Sequence, residues 1–263
     1  RMRGITLDYA VRPLQLAQAE AVEDDAIVIK LIRPWGLEGT YGIQRLESWD
    51  TGTDFLTLDH QRFSRRAYEG GFARGRRVEA LPDNRLRVFI PERDAGVNGY
   101  VREDRAKLLR NVSPGDAYAI TSRVYGADAI SIEYSRDILL EDITLHTAAG
   151  MGVKGLRSEN ITLRRLSVTP PPDADLSYSL TADATHFFCC SGVIRLEDCL
   201  IEGQGDDGLN IHGRFIELDR LESPRRVRVS VSWPFLDIES GERLELFNED
   251  AHVIWTGKVS DVE

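Results

Sequence analysis

The stretch ILLEDITL at residues 138–145 decides the fold, because its pattern returns twice further along the chain. ITLRRLSV follows at residues 161–168 and IRLEDCLI at residues 194–201. Each copy is apolar at its first, third, sixth and eighth places and carries a polar pair at its fourth and fifth. The first offset is 23 residues and the second is 33. Copies that share a phase, with strand periodicity and turn residues between them, are typical of a parallel β-helix.

The ten extra residues of the second interval surround the prolines at 170–172, which indicates a loop extension. Residues 3–11 read as a degraded further copy of the repeat. In a β-helix each coil stacks about 4.8 Å from the last and buries a continuous aliphatic ladder. An antiparallel sandwich would not predict copies in the same phase. We therefore predict an all-β protein built on a right-handed parallel β-helix, with Asn160 as a structural corner residue.

The chain changes character on both sides of the repeats. We assign the coils to residues 1–23 and 113–213. Short strand-like segments alternate with Gly, Asn, Asp and Pro turns in residues 24–112, which predicts an inserted small antiparallel, barrel-like β subdomain. A second β insertion is expected at residues 214–263, cut short by the end of the chain. We expect the sequence to be a fragment of a longer polypeptide.

The bulk properties exclude several classes of partner. The net charge of −10 argues against nucleic acid or an anionic membrane surface, because both bind basic patches. No apolar run is long enough to span a bilayer. The three cysteines lack a CxxC spacing, so we expect free thiols: Cys189, Cys190 and Cys199.

Two acidic clusters lie one coil apart. Asp206 follows Asp183 by 23 residues, so the two side chains should stack on adjacent coils. Counting back from Asp183 by the longer interval of the repeat places Gly150 beneath them, where it would leave space. Asp207 would point to the opposite side of a strand, but the glycines on either side of the pair allow a turn or bulge that aims both carboxylates outward.

Carboxylates at this spacing titrate together, so that one holds a proton while another is ionised. Glycosidic hydrolysis needs that combination, an acid for the leaving oxygen and a base for water. A separation of about 6.5–9.5 Å predicts inversion and about 5–5.5 Å predicts retention, and three aspartates over two coils allow either. A calcium site is a further option. The nearby histidines lack a convincing third ligand for zinc.

The segments DATHF at 183–187 and GDDGLNIHG at 205–213, with GMGV upstream at 150–153, resemble glycoside hydrolase family 110. The resemblance implies a β-helix with attached barrel domains and an inverting, metal-independent exo-hydrolase of terminal α-1,3-linked galactose. It also implies a galactose-terminated glycan as partner, no cofactor, and a secreted or periplasmic location. Carried over by motif position, the acidic, catalytic residues are Asp183, Asp206 and Asp207. We assign the polar residues around them to substrate binding: His186, Asn210 and His212.

Two other readings stay open. Polygalacturonase-like β-helix hydrolases also use an adjacent aspartate pair and a third aspartate on a neighbouring coil. No Arg-x-Lys signature for uronate carboxylates follows His212, which disfavours a pectin substrate. The non-enzymatic alternative is a carbohydrate-binding or adhesin-like β-helix whose aspartates hold calcium.

Overall fold

The computed structural model describes residues 1–10, 13–32, 45–50, 55–56, 77–90, 105–110, 112–122, 125–172, 179–230 and 238–262. They contain twenty β-strands and one short helix, α1 (Arg105–Arg110). The chain divides into two compact units, Arg1–Gly213 and Arg214–Glu263. The first contains a parallel β-helix and an antiparallel sheet, and the second contains two hairpins. Within these described ranges, no helix combines the length and apolar character needed to cross a membrane.

Two stacks of parallel strands form the β-helix. The first sheet has the order β1 (Met2–Leu7), β10 (Arg136–Leu145), β12 (Glu159–Val168) and β14 (Ser191–Glu197), with the short β15 (Leu200–Ile201) also paired to β12. The second has the order β16 (Asn210–His212), β13 (Thr185–Phe188), β11 (Val153–Leu156) and β9 (Ile130–Glu133). The chain alternates between the two sheets as it winds, which confirms the predicted parallel β-helix.

The register of the first sheet confirms the repeat. Ile138 pairs with Ile161, and Ile161 pairs with Ile194, so the first residues of the three copies lie side by side as predicted. Ile5 of β1 pairs with Ile143 of β10. The start of the chain is therefore the further copy that the sequence predicts.

The apolar places of the repeat form a buried ladder. In β12 the side chains of Ile161, Leu163, Leu166 and Val168 are at most 1% exposed. Phe187 of the second sheet is fully buried and belongs to the same core cluster. Burying one side chain of this kind contributes about 1.5–3 kcal/mol. The stacking of the coils is therefore driven by the inward row of each repeat.

The polar pair of each repeat marks a bend in the strand. Its second residue has a left-handed backbone at Asp142 (φ 55°), Arg165 (φ 52°) and Asp198 (φ 52°). Gly4 occupies the equivalent place in β1 with φ 66°. Regular strands alternate sides at every residue, so one additional outward residue at the bend returns the sixth and eighth places to the core. The bend explains why the repeat is apolar at places one, three, six and eight.

Asn160 has the structural role that was predicted for it. Its backbone is left-handed (φ 55°), a conformation that Asn tolerates better than most residues. The side chain donates to Asp137 Oδ1 at 2.9 Å and accepts from the backbone N–H of Val193 at 3.2 Å. One amide thus links the corners of three successive coils.

Glu141, the first residue of a polar pair, is almost buried, with its side chain 7% exposed. It accepts a hydrogen bond from Arg1 and lies 3.1 Å from Arg165 Nη2 and 3.4 Å from Arg164 Nη1. The hydrogen bond from Arg1, followed by that from Arg165 and the charge of Arg3, lowers the pKa of Glu141 from 4.5 to about 2 against the opposing effect of burial. The ionised carboxylate therefore ties neighbouring coils together.

Because the pKa of Glu141 is lowered on folding, its ionised form stabilises the protein above pH 4.5, and this contribution is lost as the pH falls towards about 2. We expect Glu141→Gln to lower the melting temperature at pH 7, and the difference from the wild type to shrink between pH 4.5 and 2. Circular dichroism melts across this range measure it. Glu202→Gln, at an exposed position of the same β-helix, is the matched control. A difference that does not vary with pH would contradict the assignment.

The antiparallel sheet is wider than the predicted insertion at 24–112. Strand β2 (Leu14–Val22) pairs antiparallel with β8 (Ala117–Thr121), although both segments are predicted to belong to the coils. The boundaries of this insertion were therefore wrong, because the sheet takes residues from 14 to 121. The Ala and Gln of β2 favour helices in isolation. Alternate burial prevails here, since Ala17 and Ala19 are at most 2% exposed.

The sheet is open in the part of the chain that the structure describes. Its order is β5-β4-β8-β2-β3-β7-β6, so β5 and β6 form opposite edges and no closed barrel results. The remaining strands have the following bounds: β3 (Ala26–Leu31), β4 (Arg45–Asp50), β5 (Phe55–Leu56), β6 (Val78–Leu81) and β7 (Arg85–Phe89).

The second unit contains two hairpins. β17 (Glu217–Ser223) pairs with β18 (Arg226–Ser230), and β19 (Arg243–Phe247) pairs with β20 (Val253–Lys258), both antiparallel. The strand-like segments after position 214 are therefore β-structure, as predicted.

Candidate active site

The predicted site depends on the register near β14, which contains one extra residue. Glu159 pairs with Ser191 and Ile161 pairs with Ile194, so β14 advances by one position more than β12 between these two pairs. Gly192, with φ 68°, lies in this interval. Of the ten extra residues in the longer interval of the repeat, nine lie before β13 and one lies in a β-bulge of β14. The prediction that all ten lie in the loop after β12 was therefore wrong by one residue.

The bulge lengthens the next coil of the second sheet. His186 pairs with Asn210, one position beyond the residue that the shorter interval of the repeat would place there. The backbone N–H of Ala184 donates to the carbonyl of Asp207 at 2.8 Å, and this register places Asp207 opposite Asp183. The prediction that Asp206 lies opposite Asp183 was therefore wrong by one position, because the bulge inserts a residue between β13 and β16.

Gly150 does not lie beneath Asp183. Val153 of β11 pairs with Thr185 of β13, and the N–H of Gly152 donates to the carbonyl of Asp183 at 2.9 Å. This pairing is one position short of the predicted interval, so Met151 takes the place that was predicted for Gly150. A Cβ atom on Gly150 would approach Asp128 Oδ1 to 2.8 Å, so this glycine accommodates the preceding coil instead.

The three aspartates nevertheless converge as predicted. Asp183, Asp206 and Asp207 each offer a carboxylate oxygen, and these oxygens lie within 4.8 Å of one another. Asp183 is buried, with 4% exposure, whereas the other two are exposed. The cluster therefore has one carboxylate on its floor and two at the surface.

A chain of hydrogen bonds runs from Asp183 to the surface. Its Oδ2 lies 2.6 Å from Nδ1 of His186, and Nε2 of His186 lies 3.0 Å from Nε2 of His212. Nδ1 of His212 lies 2.9 Å from the carbonyl oxygen of Gly213. The side chain of His186 is 16% exposed, and His212 is exposed. The two histidines thus connect a buried carboxylate to solvent.

Ring contacts hold His212 in place. Its ring centroid lies 4.6 Å from that of Phe188, with an interplanar angle of 32°, and Phe188 is its partner in the parallel register. The rings of His186 and His212 meet at 90°, with centroids 4.9 Å apart. An exposed imidazole is thereby oriented towards a partly buried one.

Asn210 connects the exposed carboxylate of Asp207 to β16. Its Nδ2 donates to Asp207 Oδ2 at 3.0 Å, and its backbone pairs with that of His186. The structure therefore places all six residues predicted for the site on β13, on β16 or in the segments beside these strands: Asp183, His186, Asp206, Asp207, Asn210 and His212.

One polar residue of this row was not predicted. Lys154 pairs with His186 in the parallel register, so both side chains leave the same face of the second sheet. Its Nζ lies 3.4 Å from Asp128 Oδ2 and 3.7 Å from Glu133 Oε1. The spacing between Lys154 and His186, one position short of the longer interval of the repeat, is the sequence signal that would have found it.

Clustered carboxylates of this kind are the groups that glycoside hydrolysis uses, an acid beside a base. No family model matches the chain. The chain is 39% identical over 234 residues to alpha-1,3-galactosidase B of Parabacteroides distasonis, which covers 83% of this chain and 34% of the relative.

Two further relatives match shorter regions. Alpha-1,3-galactosidase B of Phocaeicola vulgatus is 37% identical over 108 residues, and alpha-1,3-galactosidase A of Shewanella woodyi is 33% identical over 99. These matches cover 41% and 38% of this chain, and 18% and 16% of the relatives. The chain thus spans about a third or less of the length of the curated relatives it matches. The matches confirm that it belongs to the family its motifs resemble, the α-1,3-galactosidases of glycoside hydrolase family 110.

Gly152 controls how closely the coils approach beneath the site. A Cβ atom there would lie 2.5 Å from the carbonyl oxygen of Ala184, next to Asp183. We expect Gly152→Ala to force the backbone apart and destabilise the protein by about 1–3 kcal/mol. Thermal denaturation followed by circular dichroism measures the loss. Gly208→Ala is the control for stability, because the nearest atoms to its Cβ are 3.6 Å away. Equal melting temperatures for the two variants would contradict the close approach.

Proposed function

We propose that the protein hydrolyses terminal α-1,3-linked galactose from oligosaccharides or glycans. The observation that carries the proposal is the convergence of Asp183, Asp206 and Asp207 within 4.8 Å on adjacent coils. The names of the relatives supply the substrate class, a galactose-terminated glycan. A secreted or periplasmic location, where such glycans are met, is part of the same proposal.

The surroundings of the three carboxylates favour different roles. Asp183 is the buried carboxylate of the three, and its Oδ2 is held 2.6 Å from Nδ1 of His186, so we assign it as the general acid for the leaving oxygen. Asp207 Oδ2 accepts an N–H from Asn210, which holds this oxygen as an acceptor. The exposed pair, Asp206 and Asp207, is assigned to activating the attacking water. No metal is required for these steps, in keeping with the metal-independent mechanism that the family resemblance implies.

Replacing the carboxylates tests these roles. We expect Asp183→Asn, Asp206→Asn and Asp207→Asn each to reduce kcat for Gal-α-1,3-Gal by about 10²–10⁴-fold, the contribution of general acid–base catalysis. Galactose release is measured for the full-length protein and its variants, with a pectin fragment as second substrate. Turnover that is equal in the wild type and all three variants would refute the catalytic assignment.

The alternatives predict different results in the same assay. Cleavage of the pectin fragment in place of the galactoside would favour the polygalacturonase-like reading. Saccharide binding without turnover, together with a melting temperature that falls on addition of EDTA, would favour the calcium-binding module. We expect galactose release that EDTA does not change.

The stereochemical outcome is a separate prediction. Oxygens within 4.8 Å are closer than the carboxyl separations of about 5–5.5 Å for retention and 6.5–9.5 Å for inversion, so the two-carboxylate criterion does not assign this three-carboxylate cluster. We propose inversion on the family resemblance, which predicts β-galactose as the first product of an α-galactoside. Proton NMR of the first-formed anomer measures the outcome. Initial release of α-galactose would show retention.

A further inference from the structure

A group of polar side chains lies beside the aspartate cluster, on the same face of the second sheet. Lys154 is the neighbour of His186 in the register, and Ser131 is the neighbour of Lys154 on the preceding coil. Lys154 Nζ lies 3.4 Å from Asp128 Oδ2 and 3.7 Å from Glu133 Oε1. The hydroxyl of Ser131 donates to Glu133 Oε1 at 3.0 Å. We call these four residues the lysine cluster: Asp128, Ser131, Glu133 and Lys154.

Asp128 of the lysine cluster lies in the same row across the coils as Asp183. The backbone N–H of Ala129 donates to the carbonyl of Met151 at 2.9 Å, and that of Gly152 donates to the carbonyl of Asp183 at 2.9 Å. Asp128, Met151 and Asp183 therefore occupy equivalent places on three successive coils. Two coil spacings amount to about 9–10 Å. A sugar attached to a galactose that is held at Asp183 spans this distance.

The roles proposed for the three aspartates give the bound substrate a direction. The general acid contacts the leaving oxygen, whereas the attacking water of an inverting reaction approaches the opposite side of the sugar ring. Asp183 precedes β13, and Asp206 and Asp207 precede β16 on the next coil. The leaving sugar is therefore directed away from β16. Because the sheet order is β16-β13-β11-β9, it lies over β11 and β9, which carry Lys154 and Glu133.

The lysine cluster offers both donors and acceptors to a sugar. Both distances from Lys154 Nζ exceed the 2.7–2.9 Å that is typical of a charge-assisted hydrogen bond, and an ammonium has three donors. Asp128 Oδ1 accepts the backbone N–H of Met151 at 3.0 Å, while its Oδ2 faces the ammonium. The side chain of Lys154 is 32% exposed and that of Asp128 is 21% exposed. A sugar hydroxyl matches this combination, because it both donates and accepts.

We propose that Lys154 and Asp128 bind the sugar from which galactose is released, and that this leaving sugar is uncharged. The proposal rests on the hydrolytic function proposed above. Lys154 Nζ donates to a hydroxyl oxygen of the leaving sugar, and Asp128 Oδ2 accepts from a hydroxyl. The carboxylates of Asp128 and Glu133 outweigh the one ammonium between them, and the aspartate cluster adds further negative charge. A leaving sugar that carries a carboxylate or a sulfate is therefore repelled.

Two substrates with different leaving groups test this subsite in the full-length protein. Lys154→Met removes the ammonium and should lower kcat/KM for Gal-α-1,3-Gal about 10- to 100-fold, chiefly through KM, because a hydrogen bond to a charged group is lost. A nitrophenyl α-galactoside, whose leaving group has no further hydroxyl, should be affected much less. Lys154→Arg should retain more activity than Lys154→Met on the disaccharide. Arg136→Met, which removes a 2.8 Å ion pair to Glu159 between coils of the first sheet, is the matched control. Equal losses on both substrates, or no loss on either, would overturn the proposal.

Binding measurements separate a failure of the subsite from a failure of the proposed hydrolysis. In full-length Asp207→Asn protein, calorimetry should show that adding Lys154→Met weakens the binding of Gal-α-1,3-Gal about tenfold or more, and that of methyl α-galactoside much less. Equal effects on both ligands would overturn the subsite, whether or not the wild type releases galactose. If the wild type cleaves neither galactoside, the proposed function fails, and calorimetry still decides whether Lys154 contacts the second sugar. Equally fast cleavage of galactose linked α-1,3 to galacturonate would overturn the preference for an uncharged sugar.

Discussion

The parallel register between coils is the constraint on which the rest of this structure depends. Backbone hydrogen bonds between coils fix which residue lies beside which, and the buried row from Ile161 to Val168 holds the coils at their spacing. Side chains at equivalent places then form rows across the coils. The corner amide of Asn160 and the site histidines are both products of this alignment. Neither would form if a coil shifted by one residue, because such a shift exchanges inward and outward positions.

The β-bulge at Gly192 shows that a single inserted residue changes which side chains lie opposite each other in the site. It lies in the first sheet, outside the site, yet it lengthens the next coil of the second sheet by one position. Asp207 thereby lies opposite Asp183, and the bent segment at residues 205–208 still allows Asp206 to join the cluster. Three carboxylates meet because this segment presents two of them from adjacent positions. The cluster therefore depends on a bend and a bulge together, as well as on the repeat.

The sequence was sufficient for the features that follow from periodicity. The apolar places of the three repeats predicted the β-helix, and their offsets predicted that the aspartates meet on adjacent coils, although the register differs by one position. Features that depend on a single residue were not predicted. The bulge at Gly192 leaves the hydrophobic phase of the repeat intact, but it shifts the number of residues between neighbouring coils. The strand β2 was not predicted for another reason, because tertiary burial decides the conformation of its Ala and Gln residues against their helix propensity. The contact between the two histidines depends on ring orientation, which no spacing rule provides.

The burial of Asp183 links the structure of its coil to the chemistry proposed for the site. A carboxylate that loses water without a hydrogen-bonding partner destabilises the folded state, and two further carboxylates nearby increase the cost. His186 meets the structural need by bonding Asp183 directly, and His212 extends that bond to solvent. Under the proposed function, the same contact fixes the position of the carboxylate that acts as the general acid. Two histidines in series thus hold a buried carboxylate in place and connect it to the exposed edge of the second sheet.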